Sequence, residues 1–313
     1  MIIYKFERKY LEEWNRFIED SKTPLFIFKR EFMEYHSDRF VDSSLLFFKE
    51  GKLVAVLPAS IDGENLVSHG GLTYGGLVFL VRARSELIKE TFVALKDWLI
   101  QNDIRKLIYK AIPHIFHEQG NEEDLYFLHN TAGGVLVRRD LGSYVILKNR
   151  MKLSKGRKAL ISKARKLDLV VEKSNEWEKF HEILRDVLDR HGVAPVHSAN
   201  ELLLLGERFP ENISLNVVKD RGRMIAGSVL FIFKKTVHTQ YMCVSDEGKE
   251  KGALDLLIES VMIDFSEKGF EFLNFGISTE NAGKYLNQGL ISQKEGFGGR
   301  GMVLDHYEIT LDD

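Results

Sequence analysis

The sequence is poor in the residues that staple or interrupt a chain. Its 313 residues include one cysteine, Cys243, and five prolines. A single cysteine excludes an intramolecular disulfide and a zinc site built from several thiolates. With so little proline and no low-complexity stretch, no long linker is indicated. Because Cys243 lies between Met242 and Val244, we expect a buried thiol in a strand rather than a nucleophile.

Long apolar runs and an excess of one charge are also missing. No run of about 18 apolar residues occurs, so the sequence predicts no transmembrane helix. Charge follows the first residues at once, so we expect no signal peptide and a cytoplasmic protein. The chain has 44 basic and 46 acidic residues and a net charge of −2. A chain so close to neutral is not built to coat DNA, and a phosphorylated ligand would need a local basic patch.

An internal repeat organises the chain. The first half contains a hairpin, a strand, a helix and a strand, which the residue patterns place at 45–60, 65–69, 85–102 and 106–109. The second half repeats this order at 215–233, 237–244, 253–268 and 271–276. The spacing is also similar, since 18 positions separate Gly51 from His69 and 16 separate Gly222 from His238.

Each half is also preceded by two predicted helices, at 10–21 and 30–38 and at 177–190 and 199–208. A length of 313 residues suits two domains of roughly 150 residues each. We therefore predict an α/β (α+β) fold with two tandem domains, 1–140 and 141–313, each a mixed sheet flanked by helices.

Three segments of the second half occur in a characteristic order. They are a strand and basic helix at 143–166, a helix and glycine-terminated strand at 252–276, and Gln293-Lys-Glu-Gly-Phe-Gly298. Together they resemble the FemAB-like branch of the GNAT superfamily, whose short Lys-x-x-Phe-Gly signature is similar to the third segment. The glycine-rich segment 72–77 extends the likeness to the first half. The resemblance implies two GNAT-like (acyl-CoA N-acyltransferase) domains and an acyltransferase activity.

The resemblance also implies an acyl-CoA donor, with acetyl-CoA as one option, whose phosphates would lie at exposed amides of a helix start. The matching place is a predicted loop at 246–252 and the helix after it, so the donor-binding candidates are Gly248, Lys249, Lys251, Gly252 and Ala253. This stretch lacks one glycine and the first basic position of the usual acyl-CoA loop. FemAB-like members often use aminoacyl-tRNA instead, so both donors stay open.

Lys294 of the signature segment is the residue that the resemblance favours most for catalysis. Its ammonium would lie near ligand phosphates or the oxyanion of acyl transfer, whose stabilisation is commonly the largest catalytic contribution. The alternative is an exposed loop lysine. His69 and His238 occupy matching predicted strands and could accept a proton from the attacking amine, although structural histidines are more common. Glu295 is a rival base.

Nine basic residues and no acidic ones lie between Lys148 and Lys166. The pattern is typical of a solvated helix face. It is equally typical of a phosphate-binding stripe for a nucleotide-sugar, CoA or the end of a tRNA. On the second interpretation, Arg157 and Lys163 are candidates for substrate binding.

Aromatic and histidine side chains complete the candidate site. Tyr74 and Tyr241 could protonate a leaving thiolate or bind a sugar, with core packing as the alternative for Tyr241. Phe297 lies among glycines that allow close approach of a ligand to the backbone. His191 and His197 could line the acceptor pocket. Two histidines without a nearby carboxylate are poor evidence for zinc, so we expect no metal.

No Ser-His-Asp order, nucleotide P-loop or dinucleotide fingerprint occurs, so direct attack by an amine is expected. We expect an N-acyltransferase that acts on an amino sugar or nucleotide-sugar in surface polysaccharide or cell-wall synthesis. One alternative is an aminoacyl-tRNA-dependent transferase acting on a peptidoglycan precursor. Another is a non-catalytic binding protein with a degenerate GNAT fold. The sequence leaves open which repeat holds the active cleft.

Overall fold

The computed structural model describes residues 1–190 and 192–311. It divides into two compact units. Unit 1 contains Met1–Leu141, Thr279–Tyr285 and the chain from Val303, and unit 2 contains Gly142–Ser278 and Leu286–Met302.

The helices among these residues are, in chain order, Leu11–Glu19 (α1), Arg30–Met33 (α2), Ser85–Gln101 (α3), Glu123–Asn130 (α4), Lys155–Lys166 (α5), Trp177–Asp189 (α6), Ala199–Arg208 (α7), Asp246–Lys251 (α8), Ala253–Glu267 (α9) and Gln288–Gly296 (α10). The strands are Ile2–Lys5 (β1), Val41–Asp42 (β2), Leu45–Lys49 (β3), Lys52–Leu57 (β4), Ser60–Asp62 (β5), Asn65–Val67 (β6), Val78–Phe79 (β7), Lys106–Lys110 (β8), Val135–Ile146 (β9), Val170–Ser174 (β10), Ile213–Asp220 (β11), Arg223–Ile232 (β12), Thr236–Val244 (β13), Phe272–Ile277 (β14), Thr279–Glu280 (β15), Tyr285–Leu286 (β16) and Arg300–Thr310 (β17).

Unit 1 combines an antiparallel sheet, β1-β3-β4-β7, with a mixed set of strands in which β6 and β8 run parallel. Helix α3 supplies much of its core, because Ile88, Phe92, Leu95 and Leu99 recur every three or four residues and are all fully buried. The last strand, β17, pairs with β8 from His306 to Thr310.

Unit 2 contains the strand order β10-β11-β12-β13-β14-β9, in which only β13 and β14 pair in parallel. Helix α9 packs on β11, β12 and β13. Its residues Leu257 and Met262 share a buried core with Val237 of β13 and Leu273 of β14. Helix α6 also contacts β12 and β13, where Phe180 packs on Gly227.

The tandem mixed α/β fold is confirmed, and several predicted elements match the structure closely. Both hairpins form, and helices α3 and α9 end one residue before their predicted limits. Cys243 is buried in β13, and burial raises the pKa of its thiol to about 12, as expected for a structural cysteine. No helix in the described part of the chain is both long and apolar enough to cross a membrane.

One predicted loop is wrong. Residues 246–251 form helix α8, because the Ser245 hydroxyl accepts a hydrogen bond from the backbone N–H of Gly248 and caps the first turn. Gly252 then ends the helix in the left-handed region, with φ of 72°. Of the expected loop between β13 and α9, only Ser245 and Gly252, the residues on either side of α8, remain outside a helix.

Candidate functional site

The parallel pairing of β13 and β14 covers three residue pairs and ends at His238 and Asn274. Beyond this point β13 continues to Val244 and β14 to Ile277, without further pairing between them in the described residues. A β-bulge leaves Gln240 without a partner residue on β12. Bulges bend and twist a strand, so β13 turns away from β14. We call the gap between 239–244 and 275–277 the strand opening.

Lys294 contacts one side of the strand opening. It lies on α10 and its Nζ donates hydrogen bonds to the carbonyl oxygens of Gly276, at 3.1 Å, and Ile277, at 2.5 Å. The residue is 2% exposed, and burial lowers the pKa of its ammonium to about 8. It forms no ion pair with any described carboxylate. An ammonium has three N–H donors, so one of them stays available to a ligand.

His238 lies beside the same backbone. Its Cε1 is 3.3 Å from the position that a Cβ on Gly276 would take, and Gly276 has a φ of 69°. The Nδ1 of His238 is buried without a hydrogen-bond partner among the described residues. Burial lowers the pKa of this histidine to about 4, and the charge of Lys294 acts in the same direction. The imidazole is therefore neutral at physiological pH, next to a mostly protonated lysine.

Asn274 holds this geometry, and sequence reasoning missed it. Its Oδ1 accepts a hydrogen bond from the backbone N–H of Gly276 at 2.9 Å, and its carbonyl accepts one from the Thr239 hydroxyl at 3.3 Å. The side chain therefore fixes the turn that directs the Gly276 and Ile277 carbonyls to Lys294. The sequence did offer a signal for this residue, because a polar side chain stands inside the otherwise apolar segment Phe-Leu-Asn-Phe-Gly, and Asn274 is indeed buried.

In unit 1, the loop 68–77 fills the place that corresponds to the strand opening of unit 2. Strands β6 and β8 also pair in parallel at three positions. Beyond them, the Ser68 hydroxyl accepts from the Lys110 N–H at 2.7 Å, and the Gly75 N–H donates to the Lys110 carbonyl at 2.9 Å. The Lys110 ammonium donates to the carbonyls of His69, Gly70 and Leu72. The loop 68–77 thus occupies the gap that stays open in unit 2.

His69 does not lie on a strand as expected. It follows the end of β6 with a φ of 53° and is buried, with its ring stacked 5.2 Å from that of His36. Burial lowers the pKa of His69 to about 3, and the neighbouring His36 and Lys110 contribute in the same direction. The matching-strand argument that paired it with His238 is therefore wrong, because the loop 68–77 replaces the end of the strand.

We expect His69 to make unit 1 sensitive to acid. Its ordinary pKa is 6.5 and its folded pKa is about 3, so the unfolded state takes up the proton first as pH falls. The free energy of unfolding therefore falls as the pH drops from 6.5 to about 3, by up to about 5 kcal/mol in total. His69→Asn, which tolerates the left-handed backbone, should flatten the fall in free energy of unfolding between neutral pH and about pH 4. Urea unfolding checks this against exposed His114→Asn, which should behave as the parent protein does.

The predicted donor residues on α8 make local contacts. The Lys251 ammonium pairs with Asp220 at 2.5 Å and with Glu247 at 2.7 Å. Lys249 lies 3.9 Å from Asp246 and is exposed. A Cβ on Gly248 would lie 2.3 Å from the carbonyl oxygen of Ile225, so this glycine permits close packing of α8 on β12.

The start of α9 is covered. Ala253 is 0% exposed, and a Cβ on Gly252 would lie 2.5 Å from the carbonyl oxygen of Leu160 on α5. The buried carboxylate of Asp255, in the first turn of α9, pairs with Arg157 at 2.7 Å. The expectation of exposed amides at this helix start is therefore wrong, and the residues present do not fit a CoA pyrophosphate there.

Two candidates for substrate binding support the core instead. Phe297 is 1% exposed and stacks on Phe275 at 5.8 Å between ring centroids. The guanidinium of Arg157 lies 4.2 Å from the Phe297 ring and pairs with Asp255. In this structure Phe297 packs in the core, and its contact with a substrate stays a prediction. Lys163 is exposed on α5.

The remaining candidates are dispersed. Tyr74 is buried in unit 1 against Phe116. The Tyr241 hydroxyl on β13 lies 2.7 Å from Nδ1 of His197 and accepts from the His197 backbone N–H. Glu295 is exposed on α10. His191 lies outside the described residues. Among those described, no three or more His, Cys, Asp or Glu residues are grouped as metal ligands.

Comparisons with known proteins agree with this architecture. Residues 148–285 match the family described as acetyltransferase (GNAT) domain. A structure of FemX has 11% identity and a TM-score of 0.70, covering 99% of this chain and 98% of that chain. The C-terminal domain of a putative lysylphosphatidylglycerol synthetase from Agrobacterium fabrum has 14% identity and a TM-score of 0.64, covering 96% and 92%.

A tandem GNAT protein from the clavulanic acid biosynthesis pathway has 10% identity and a TM-score of 0.51, covering 100% of this chain and 99% of that chain. At such low identity these likenesses show the fold alone. A search of curated protein sequences finds no match.

Proposed function

We propose that this chain, an acyltransferase whose residues 148–285 match the acetyltransferase (GNAT) domain family, is FemAB-like and acylates an amine at the strand opening of unit 2. The observation that carries the proposal is the buried Lys294 ammonium, which has two carbonyl partners and no described carboxylate. A buried cation without a counter-ion is costly. A ligand that brings a carboxylate, a phosphate or a developing oxyanion would offset this cost.

In the proposed reaction, the donor's carbonyl oxygen lies within reach of the free N–H of Lys294. The neutral amine of the acceptor attacks the carbonyl carbon, and Lys294 stabilises the oxyanion that forms. His238 accepts a hydrogen bond from the attacking nitrogen. The imidazole is a weak base, but the amine N–H becomes far more acidic once its nitrogen has bonded to carbon. The amide bond forms, the C–S or C–O bond of the donor breaks, and the leaving group takes the proton.

The edges that β13 at 239–244 and β14 at 275–277 turn towards each other do not pair with each other, and the edge of β13 offers a second recognition element. Exposed strand edges bind extended chains through main-chain hydrogen bonds. An amide-containing arm of the donor or acceptor could add to β13 in this way and present its carbonyl near Lys294. We propose this arrangement in unit 2 only, because the loop 68–77 occupies the corresponding place in unit 1.

We propose that the acceptor is a cell-envelope precursor, with the amine of an amino sugar or nucleotide-sugar as the leading choice. The similar fold of a putative lysylphosphatidylglycerol synthetase, whose name describes an acylated membrane lipid, supports an envelope acceptor. We place the reaction in the cytoplasm. We also propose 1–140 and 141–313 as the two domains, with the catalytic role in the second.

The donor is proposed to be acyl-CoA, which the GNAT fold implies, or aminoacyl-tRNA. The covered start of α9 favours the second, because it removes the amides that would hold a pyrophosphate. A donor titration separates the two. Acetyl-CoA at about 100 times its Kd should raise the free energy of unfolding by about 2.7 kcal/mol if it binds. Labelled aminoacyl-tRNA should instead bind at low salt and dissociate as salt rises.

Gly276→Ala tests the site itself. The new Cβ would press on His238, whose Cε1 is 3.3 Å away, and we expect kcat to fall about tenfold, a barrier increase of about 1.4 kcal/mol. Gly269→Ala is the matched control, because Gly269 also has a positive φ, of 85°, but nothing lies within 4 Å of its added Cβ. Equal activity of the two variants contradicts the assignment. No turnover of the parent protein with either donor class supports the non-catalytic alternative.

A further inference from the structure

The solvent side of α5 carries a cluster of cations. Five basic residues of this helix are exposed, and none forms an ion pair with any described residue: Lys155, Lys158, Lys163, Arg165 and Lys166. We call them the α5 cationic face. The helix contains no acidic residue, so like charges stand together without internal neutralisation.

Helix geometry puts these cations on one side. The helix packs on α9 through buried Ile161 and Ala164 and through the Arg157–Asp255 ion pair. With about 3.6 residues per turn, Lys155, Lys163 and Lys166 lie opposite that packed side. Lys158 and Arg165 lie at its margin and are exposed there. On the nearby helix α8, Asp246 and Glu247 pair with other basic residues. The third acidic residue of α8, Glu250, forms no ion pair with any described residue of α5.

Exposed apolar side chains flank the α5 cationic face. Leu167 is 43% exposed and lies four residues after Lys163, so the two side chains share one side of the helix end. Met151, before the helix, is 52% exposed, and Val170, after it, is 53% exposed. Removing such apolar side chains from water would be favourable, by an amount that grows with the apolar area buried.

We propose that the α5 cationic face docks on an anionic phospholipid bilayer. Clustered lysines and arginines are attracted by the negative surface potential of such a membrane. Neighbouring apolar side chains can enter the headgroup region, as those of interfacial helices do. A nucleic acid fits less well, because the face has no aromatic side chain for base stacking and phosphates would leave Leu167 uncovered. Docking here would hold α10, whose Phe297 flank contacts Arg157, close to acceptors at the membrane.

Vesicle sedimentation tests this proposal. The full chain should bind vesicles of phosphatidylcholine with a quarter phosphatidylglycerol at low salt, and release them at about 1 M salt, where the Debye length is about 3 Å. Changing Lys155, Lys158, Lys163 and Lys166 to Gln should weaken binding roughly 10²- to 10³-fold, since each surface lysine contributes about 1 kcal/mol. Glutamine keeps the helix propensity of lysine, so the fold should persist.

The matched control changes four exposed lysines outside α5 to Gln: Lys52, Lys89, Lys234 and Lys284. It removes the same charge and should retain most of the binding. Leu167→Ser should weaken vesicle binding by about fivefold, the equivalent of about 1 kcal/mol, and leave binding to heparin unchanged. Equal binding to pure phosphatidylcholine vesicles, or an equal loss in the control, overturns the proposal. If the α5 variant binds the vesicles as the parent protein does but loses duplex-RNA binding that the control keeps, the face belongs to nucleic acid instead.

Discussion

Lys294→Met lowers kcat for acyl transfer by roughly 10²- to 10³-fold, which is the expected cost of losing an oxyanion donor. Lys294 is buried, and its ammonium is held against two carbonyl oxygens without a described counter-ion. Methionine fills a similar volume without the charge. The measurement is kcat under saturating donor and acceptor. Lys268→Met, which removes an exposed lysine paired with Asp264, is the control and should keep the parent rate.

The pH dependence separates a catalytic ammonium from a structural one. Burial lowers the pKa of Lys294 to about 8, so the rate should fall above this pH if the charged form stabilises the oxyanion. Any activity retained by Lys294→Arg should lack this alkaline limb, because arginine stays protonated. An alkaline limb that persists unchanged in Lys294→Arg, or a parent-like rate in Lys294→Met, refutes the role.

Stability provides an independent readout of the same residue. The pKa of Lys294 is about 8 in the folded state against an ordinary value of 10.5. Between these values the unfolded chain binds more protons, so the free energy of unfolding should rise with pH. Lys294→Met should reduce that rise, and the remainder should come from Lys110, whose pKa burial also lowers to about 8. If the rise is as large in Lys294→Met as in the parent protein while activity is lost, the lysine acts in catalysis without the predicted burial cost.

Phe297→Ala should lower the free energy of unfolding of unit 2 by about 3–5 kcal/mol. Phe297 is buried between Phe275 and the Arg157 guanidinium, so its removal leaves a cavity beneath a charged group. Urea unfolding gives the magnitude. Phe297→Leu, which keeps most of the volume, should cost less than about 2 kcal/mol.

Kinetics decide between packing and substrate contact at Phe297. If the ring only packs, folded Phe297→Leu should keep the parent KM. A raised KM with a stability change below about 1 kcal/mol would restore the original expectation that Phe297 touches the substrate.

Local patterns determined much of the fold. The hairpin of β3 and β4, the hairpin of β11 and β12, and helix α9 were readable because alternation and helical periodicity act between near neighbours in sequence. The duplicated order of these elements predicted a tandem architecture. The burial of Cys243 followed in the same way from the apolar residues around it.

Helix capping and loop packing were less readable. The segment 246–251 looked like a loop because it is rich in glycine and charge, but the Ser245 cap and the packing of Gly248 on β12 stabilise helix α8. His69 and His238 looked equivalent in spacing. The loop 68–77 separates them in environment, because it closes one gap while the other stays open.

The sequence by itself determined that this is a tandem α/β protein with an acyltransferase-like second half and a lysine of interest at 294. Only the tertiary structure decided that Lys294 is buried beside His238 and Asn274, that α5 covers the start of α9, and that Phe297 belongs to the core. These facts depend on contacts between residues far apart in the chain. Periodicity reports which side of an element is apolar, but it does not report which other element lies against that side.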